Sequence, residues 1–299
     1  MTGGAHRRRM TTQTPVPSLT RPGNRTVTWA ECGAPQGTPV LWCHGSPASR
    51  LDASPDGPFA AAYTAAGIRV IAWDRPGYGG STPHPGRTLD DVADDAAALA
   101  DALGLGTFAV AGYSGGGPVA LTIAHRLGDR VAAVGVLAGL APPALADHSD
   151  LAERDLFDAA ADPVALRGVL AQIAGGLRED TVATAQQLLG AGLVDSDMAA
   201  FADQGFAAMM MASLAESARQ DLAGYAEDID CFLIDWTSTL RAVRQRVHLV
   251  HGTVDGIVPV RHSRVMAAEL RDVALTEVDA GHLSVLANLP SLMTTMLTT

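Results

Sequence analysis

Residues 108–117 read FAVAGYSGGG, and no other stretch constrains the fold of this chain so tightly. Phe108, Ala109, Val110 and Ala111 form a short apolar run that suits a strand buried on both faces of a parallel sheet. Gly112-Tyr113-Ser114-Gly115-Gly116 follows at once and fits G-x-S-x-G. A turn of this kind holds the serine in strained φ/ψ, and a Cβ on the flanking residues would collide. Residues 117–127 (GPVALTIAHRL) then read as a helix, with Pro118 near its first turn, where a missing N–H costs little. Ser114 is thereby placed at a helix N-terminus, whose dipole favours negative charge developing nearby. A glycine-rich loop with an incidental serine is the plainer alternative. The strand before and the helix after are what the motif demands.

Strands and helices alternate around this turn. Residues 24–33 carry the alternation of a half-exposed strand, and 39–43 (PVLWC) read as a buried strand leading into His44-Gly45-Ser46-Pro47. A helix is predicted over 59–66, then a strand over 69–73 (RVIAW) that ends in Asp74-Arg75-Pro76-Gly77-Tyr78-Gly79-Gly80-Ser81. Thr88 and Asp91 form a T-x-x-D capping box, and Val92, Ala96, Leu99 and Leu103 follow at helical spacing. Residues 131–136 are a further strand. This rhythm predicts a mostly parallel central sheet with helices on both faces.

At Ala141-Pro142-Pro143 the rhythm breaks. From there to about residue 240 no strand pattern appears, only alanine- and leucine-rich segments such as PVALRGVLAQIAGGL and FAAMMMASLAESARQDL, so 141–240 reads as a mostly helical insertion. The core, 18–140 and 241–299, resumes with a strand at 247–251, a helix over 260–270, a strand at 274–279 and a closing helix around 284–297.

A serine hydroxyl is a poor nucleophile near neutral pH and needs a base, which itself needs an orienting group. His282, after the last strand, stands where a base should, and Asp255, after the preceding strand, where the orienting acid should. The chain order Ser114, Asp255, His282 is the one associated with this turn. Asp147, Asp150 and Asp279 compete for the acid's place. His125 and His262 fall in helices and His248 in a strand interior, which makes them poorer bases. Two backbone N–H groups should face the oxyanion of the transition state: that of Gly115, and that of Ser46 in the exit loop of the first buried strand. His44, Gly45 and Tyr113 lie close enough in sequence to touch substrate. From the insertion, Met210 and Trp236 are candidates for an apolar pocket, with core packing as their default.

The chain's 299 residues, 47% hydrophobic and 18% charged, suffice for one large α/β domain with an inserted subdomain. Its net charge of −11 argues against nucleic acid and anionic membrane surfaces as partners. Cys32, Cys43 and Cys231 are odd in number and scattered, as expected of reduced core thiols in a cytoplasmic protein. No metal-ligand spacing appears among the histidines, and no apolar run is long enough to span a membrane. Residues 1–17 carry Arg7-Arg8-Arg9 without an apolar stretch behind them, which predicts a disordered leader rather than a secretory signal, with Met10 an alternative start.

His44-Gly45-Ser46-Pro47, the 74–81 loop, the turn around Ser114, His251-Gly252-Thr253-Val254-Asp255 and Gly281-His282 together resemble the α/β-hydrolase superfamily, over about residue 25 to the C-terminus. The D-R-P-G-Y-G-x-S form is similar to the branch with helical caps that contains small-molecule esterases, C–C bond hydrolases and proline iminopeptidases. The resemblance implies a cap over 141–240 roofing the active site, and no cofactor. Two departures narrow it: dehalogenases and epoxide hydrolases of this fold have an aspartate where Ser114 stands, and the iminopeptidases carry G-G-S-W-G. The expected activity is hydrolysis of a small organic ester or lactone through an acyl-enzyme. C–C bond hydrolysis, acyl transfer or peracid formation on the same residues are the alternatives within enzymes, and a non-catalytic small-ligand receptor is the alternative outside them.

Overall fold

The computed structural model describes residues 15–190 and 192–298. The expected leader therefore falls, up to residue 14, outside the described residues, whereas the Pro17 carbonyl already accepts a hydrogen bond from Trp29 N–H (3.2 Å).

Eight strands form one sheet: β1 (Ser18–Arg21), β2 (Arg25–Gly33), β3 (Thr38–Cys43), β4 (Ile68–Trp73), β5 (Phe108–Tyr113), β6 (Val131–Leu137), β7 (Val247–Gly252) and β8 (Val273–Val278). Their order is β1-β2-β4-β3-β5-β6-β7-β8. The β1/β2 and β2/β4 pairs are antiparallel; all others are parallel. The core helices are α1 (Ala60–Ala65), α2 (Leu89–Ala102) and α3 (Gly116–Leu127). Between β6 and β7 run α4 (Arg154–Ala159), α5 (Pro163–Glu179), α6 (Thr181–Leu189), α7 (Asp195–Ala200), α8 (Gln204–Ser217), α9 (Ala223–Leu233) and α10 (Thr237–Ala242), with no strand among the described residues. The chain closes with α11 (Arg261–Glu269) and α12 (Leu289–Thr298).

Strand periodicity divides the core in two. Leu41 and Cys43 of β3 pack with α2 and α3 on one face of the sheet, while Val40 and Trp42 pack with Tyr63 of α1 and Met293 of α12 on the other. Every residue of β5 is buried, as a central strand covered on both faces requires. Helix starts follow local chemistry. Thr88 Oγ1 accepts from Asp91 N–H (3.2 Å) while Asp91 Oδ2 accepts from Thr88 N–H (2.8 Å), and Asp162 Oδ1 caps α5 ahead of Pro163. No helix among the described residues is long and apolar enough to cross a membrane.

Parallel register decides where chemistry can gather. Cys43 pairs with Gly112 and Trp73, Tyr113 with Leu137, and Gly252 with Val278, so these strands end nearly level. The loops after β3, β4, β5, β7 and β8 consequently emerge along one edge, the carboxyl edge at which open α/β sheets place their sites.

Candidate active site

Ser114 leaves β5 at φ +52°, a left-handed conformation for a residue with a side chain. The turn survives because its neighbours are bare. A Cβ on Gly112 would run into the Gly116 carbonyl, and one on Gly116 into the carbonyl of Cys43. Ser114 N–H donates to Leu137 O (2.9 Å), and Gly117 N–H donates to Ser114 O (2.9 Å), which pins the serine between β6 and the first turn of α3.

Two loops from later strands meet this hydroxyl. His282 Nε2 lies 3.1 Å from Ser114 Oγ, and His282 Nδ1 lies 2.7 Å from Asp255 Oδ2. These partners assign the tautomer: Nδ1–H donates to the carboxylate and the Nε2 lone pair faces the serine. Asp255 Oδ1 accepts from the N–H groups of Ile257 and Val258, both at 2.9 Å. His251 Nε2 stands 3.3 Å from Asp255 Oδ2 and is fixed by Ser263 Oγ (2.7 Å) on its other nitrogen. Ser114, Asp255 and His282 are all buried. Burial alone would push the Asp255 carboxyl up, but the charge of His282 and the hydrogen bond of His251 hold it well below the usual carboxylate range. Burial pushes His282 down, yet the charge and hydrogen bond of Asp255, helped by Glu153 and Asp197, raise it above its ordinary value of 6.5. The arrangement gives a serine hydroxyl a base within hydrogen-bond reach, and gives that base an orienting anion.

Beside the serine, Gly115 and Ser46 face each other. A side chain on Gly115 would meet Ser46 Cβ at 2.9 Å, and both residues line a small cavity with Ser114. Ser46 is held from behind by a buried ionic cluster. Its Oγ accepts from Arg75 Nη2 (2.7 Å) and donates to Asp228 Oδ2 (2.5 Å). Asp228, on α9, also accepts from Tyr78 Oη (2.7 Å), Arg75 Nη2 (2.6 Å) and Arg87 Nη2. Two guanidiniums satisfy one carboxylate here, with all three side chains cut off from solvent. The His282 loop has its own anchor: Asp197 Oδ1, on α7, accepts from Leu283 N–H (3.0 Å), Ser284 N–H (2.8 Å) and Ser284 Oγ (2.9 Å).

A second cavity of about 40 Å³ adjoins Ser114 and His282, and Gly45, Tyr113 and Met210 line it. Tyr113 Oη donates to the His282 carbonyl (3.0 Å), so it braces the loop as well as the wall. Two of the candidate substrate contacts take their packing role instead. His44 does not reach either cavity: it is fully buried, Nδ1–H donates to Gly45 O (2.7 Å) and Nε2 accepts from Arg75 N–H (3.3 Å), so its ring holds the loop together. Trp236 lines neither cavity; it precedes α10, which packs on α3 and α11, and its indole fills the core. Of the competing acids, Asp147 and Asp150 turn to Arg261, and Asp255 holds the contact to His282.

Asp228, Asp197 and Glu153 were not singled out by the sequence. Asp228 left a trace, because Tyr225, Asp228, Ile229 and Phe232 recur at helical spacing and so put a carboxylate on the apolar face of α9.

A mostly parallel sheet that presents a serine where its central strand turns into a helix is the architecture of α/β-fold hydrolases. The family model described as "alpha/beta hydrolase fold" matches residues 38–289, and the chain belongs to that family. Its sequence is 30% identical over 277 residues to a non-heme haloperoxidase of Rhodococcus erythropolis, covering 89% of this chain and 92% of the relative. It is 31% identical over 243 residues to a pimeloyl-[acyl-carrier protein] methyl ester esterase of Aromatoleum aromaticum, covering 74% and 82%. A solved hydrolase from Pseudomonas aeruginosa superposes with a TM-score of 0.71 at 20% identity, over 95% of this chain and 98% of that one. The protein is an α/β-fold hydrolase.

Proposed function

We propose that the protein is a serine hydrolase that cleaves a small organic ester or lactone through an acyl-enzyme. The observation that carries this reading is the unbroken path from Ser114 Oγ through His282 to Asp255, at 3.1 and 2.7 Å. His282 takes the serine proton as Oγ attacks the ester carbonyl, and Asp255 stabilises the imidazolium that results. The Gly115 and Ser46 N–H groups bind the oxyanion, and loss of one such donor costs on the order of 100-fold in turnover. His282 then protonates the leaving alkoxide, and water releases the acyl group by the reverse proton route. The helices of 141–240 form the cap: α8 brings Met210, and α9 brings Tyr225 and Phe232, to the cavities beside Ser114. Similarity to a relative named as a methyl ester esterase supports ester chemistry. The three buried free cysteines support a reducing compartment, the cytoplasm.

The test is labelling by a fluorophosphonate probe together with p-nitrophenyl ester hydrolysis. Ser114→Ala should abolish labelling and lower kcat by about 10⁴ or more. Undiminished labelling overturns the assignment of Ser114. Ligand-induced stabilisation with no product from any ester would favour a receptor. Acyl transfer and peracid formation share the acyl-enzyme and are read in the same assay by adding an alcohol or hydrogen peroxide.

A further inference from the structure

Glu153 immediately precedes α4 and lines both cavities beside Ser114 as well as an outer cleft of about 450 Å³ between α4, α5 and α6. It thus stands between that cleft and the cavities at the serine. Its Oε1 is shut off from solvent and has no hydrogen-bond partner among the described residues; the same holds for the Tyr225 hydroxyl on the wall beside it. Glu153 is half-buried, with Oε1 turned inward beside the Tyr225 hydroxyl, and a carboxylate enclosed in this way without a counter-charge is costly unless it is neutralised or matched by a cation. Among the described residues no cation is aimed at it: Arg154, next in sequence, turns to Asp155 and Asp158. The chain contains no lysine, no arginine lines the three spaces, and Arg75 and Arg87 are committed to Asp228. The remaining charged residues on these walls are Asp52 and Asp155, with His282 the one basic group.

The backbone beside it is also tied down. Ala152 N–H donates to Ile257 O (3.1 Å), and Ile257 N–H donates in turn to the Asp255 carboxylate. Glu153 thus directly follows a residue bonded to the loop that orients His282. A carboxylate carried on anchored backbone and left without a counter-charge is suited to hold part of a ligand.

We propose that Glu153 anchors the substrate, and that the substrate is an ester or lactone carrying a positively charged nitrogen. This rests on the hydrolase reading above. An ammonium group entering from the outer cleft supplies the counter-charge that the chain withholds, while its ester carbonyl reaches Ser114. A carboxylate-bearing ester meets Glu153, Asp52 and Asp155 and is rejected by like charge. Burial pushes the Glu153 carboxyl up to about 7, with the neighbouring Tyr225 hydroxyl and the charge of His282 opposing the rise, so an entering cation captures the ionised form.

The experiment compares, at a pH of about 8 where Glu153 is ionised, three matched series: methyl esters of ω-amino acids, of unbranched alkanoic acids, and mono-methyl esters of dicarboxylic acids. At the best chain length the wild type should favour the amino ester over its alkyl match by about tenfold or more in kcat/KM, and should disfavour the half-ester. Glu153→Gln should erase that preference, chiefly through KM. A preference at or below unity in the wild type, or one that survives Glu153→Gln, overturns the proposal. Calorimetric binding of the same esters to Ser114→Ala and to the Ser114→Ala/Glu153→Gln double variant separates the two readings. Selective binding of the amino ester, lost in the double variant, by a protein that turns over no ester sinks the hydrolase reading and leaves the anchor standing. Ser114-dependent turnover without amine selectivity does the reverse.

Discussion

Ser46 Oγ donates a 2.5 Å hydrogen bond to Asp228 Oδ2, across 182 positions of sequence. One partner belongs to the loop that faces Gly115; the other belongs to a helix between β6 and β7. The contact ties α9, whose Tyr225 and Phe232 line the small cavity, to the loop beside the serine, and Arg75 holds the same loop by donating to Ser46 Oγ and to the carbonyls of His44 and Gly45.

Asp228→Asn should therefore do two separable kinds of damage. Burial pushes the Asp228 carboxyl up, but the guanidiniums of Arg75 and Arg87 outweigh this and hold it well below the usual range. Its stabilising contribution is thus present above the ordinary aspartate value of 3.8 and is lost as pH falls. The amide leaves two buried cations without an anion, so urea unfolding at neutral pH should show a loss of about 3–5 kcal/mol. Release of Ser46 should lower kcat more than it raises KM.

The rate should depend on pH through His282, which must be neutral to accept the serine proton. Its pKa is raised, so kcat/KM should climb with pH through an inflection above 6.5 and then level off. The same pairing stabilises the fold in a defined window. The His282 contribution is fully present below 6.5 and fades as pH rises through the raised value; the Asp255 contribution is present above 3.8 and fades as pH falls. NMR titration of the imidazole checks the cause, since Asp255→Asn should move the His282 inflection down.

Gly116→Ala and Gly168→Ala should act in opposite directions. A Cβ at Gly116 would collide with the carbonyls of Cys43 and His44, so the turn under Ser114 must shift, at about 1–3 kcal/mol and with a fall in kcat. Gly168 lies exposed within α5 with open space where its Cβ would go, and alanine there should stabilise by about 0.5–1 kcal/mol. Thermal melts of the two variants check both signs, and equal destabilisation would contradict the packing described here.

What the sequence determined by itself is whatever rests on short-range pattern. The apolar run of β5, the glycines around Ser114 and the helix behind them each follow from steric rules over a few residues, and so do the Thr88–Asp91 cap and the placement of Asp255 and His282 just past consecutive strands. Parallel register then carries those loops to a common edge, which is why their meeting was legible in advance. The tertiary structure alone decided which polar side chains are buried and what they face. His44 stands next to Gly45 in sequence, yet burial against Arg75 and Tyr78 turns its ring away from the cavity. Trp236 was a fair candidate for a pocket until helix packing set it in the core. Asp228 and Asp197 meet partners 86 to 182 positions away, and Glu153 is set apart by an Oε1 with no partner among the described residues. Burial and pairing of charge depend on how whole layers close over one another, and no local pattern encodes that closure.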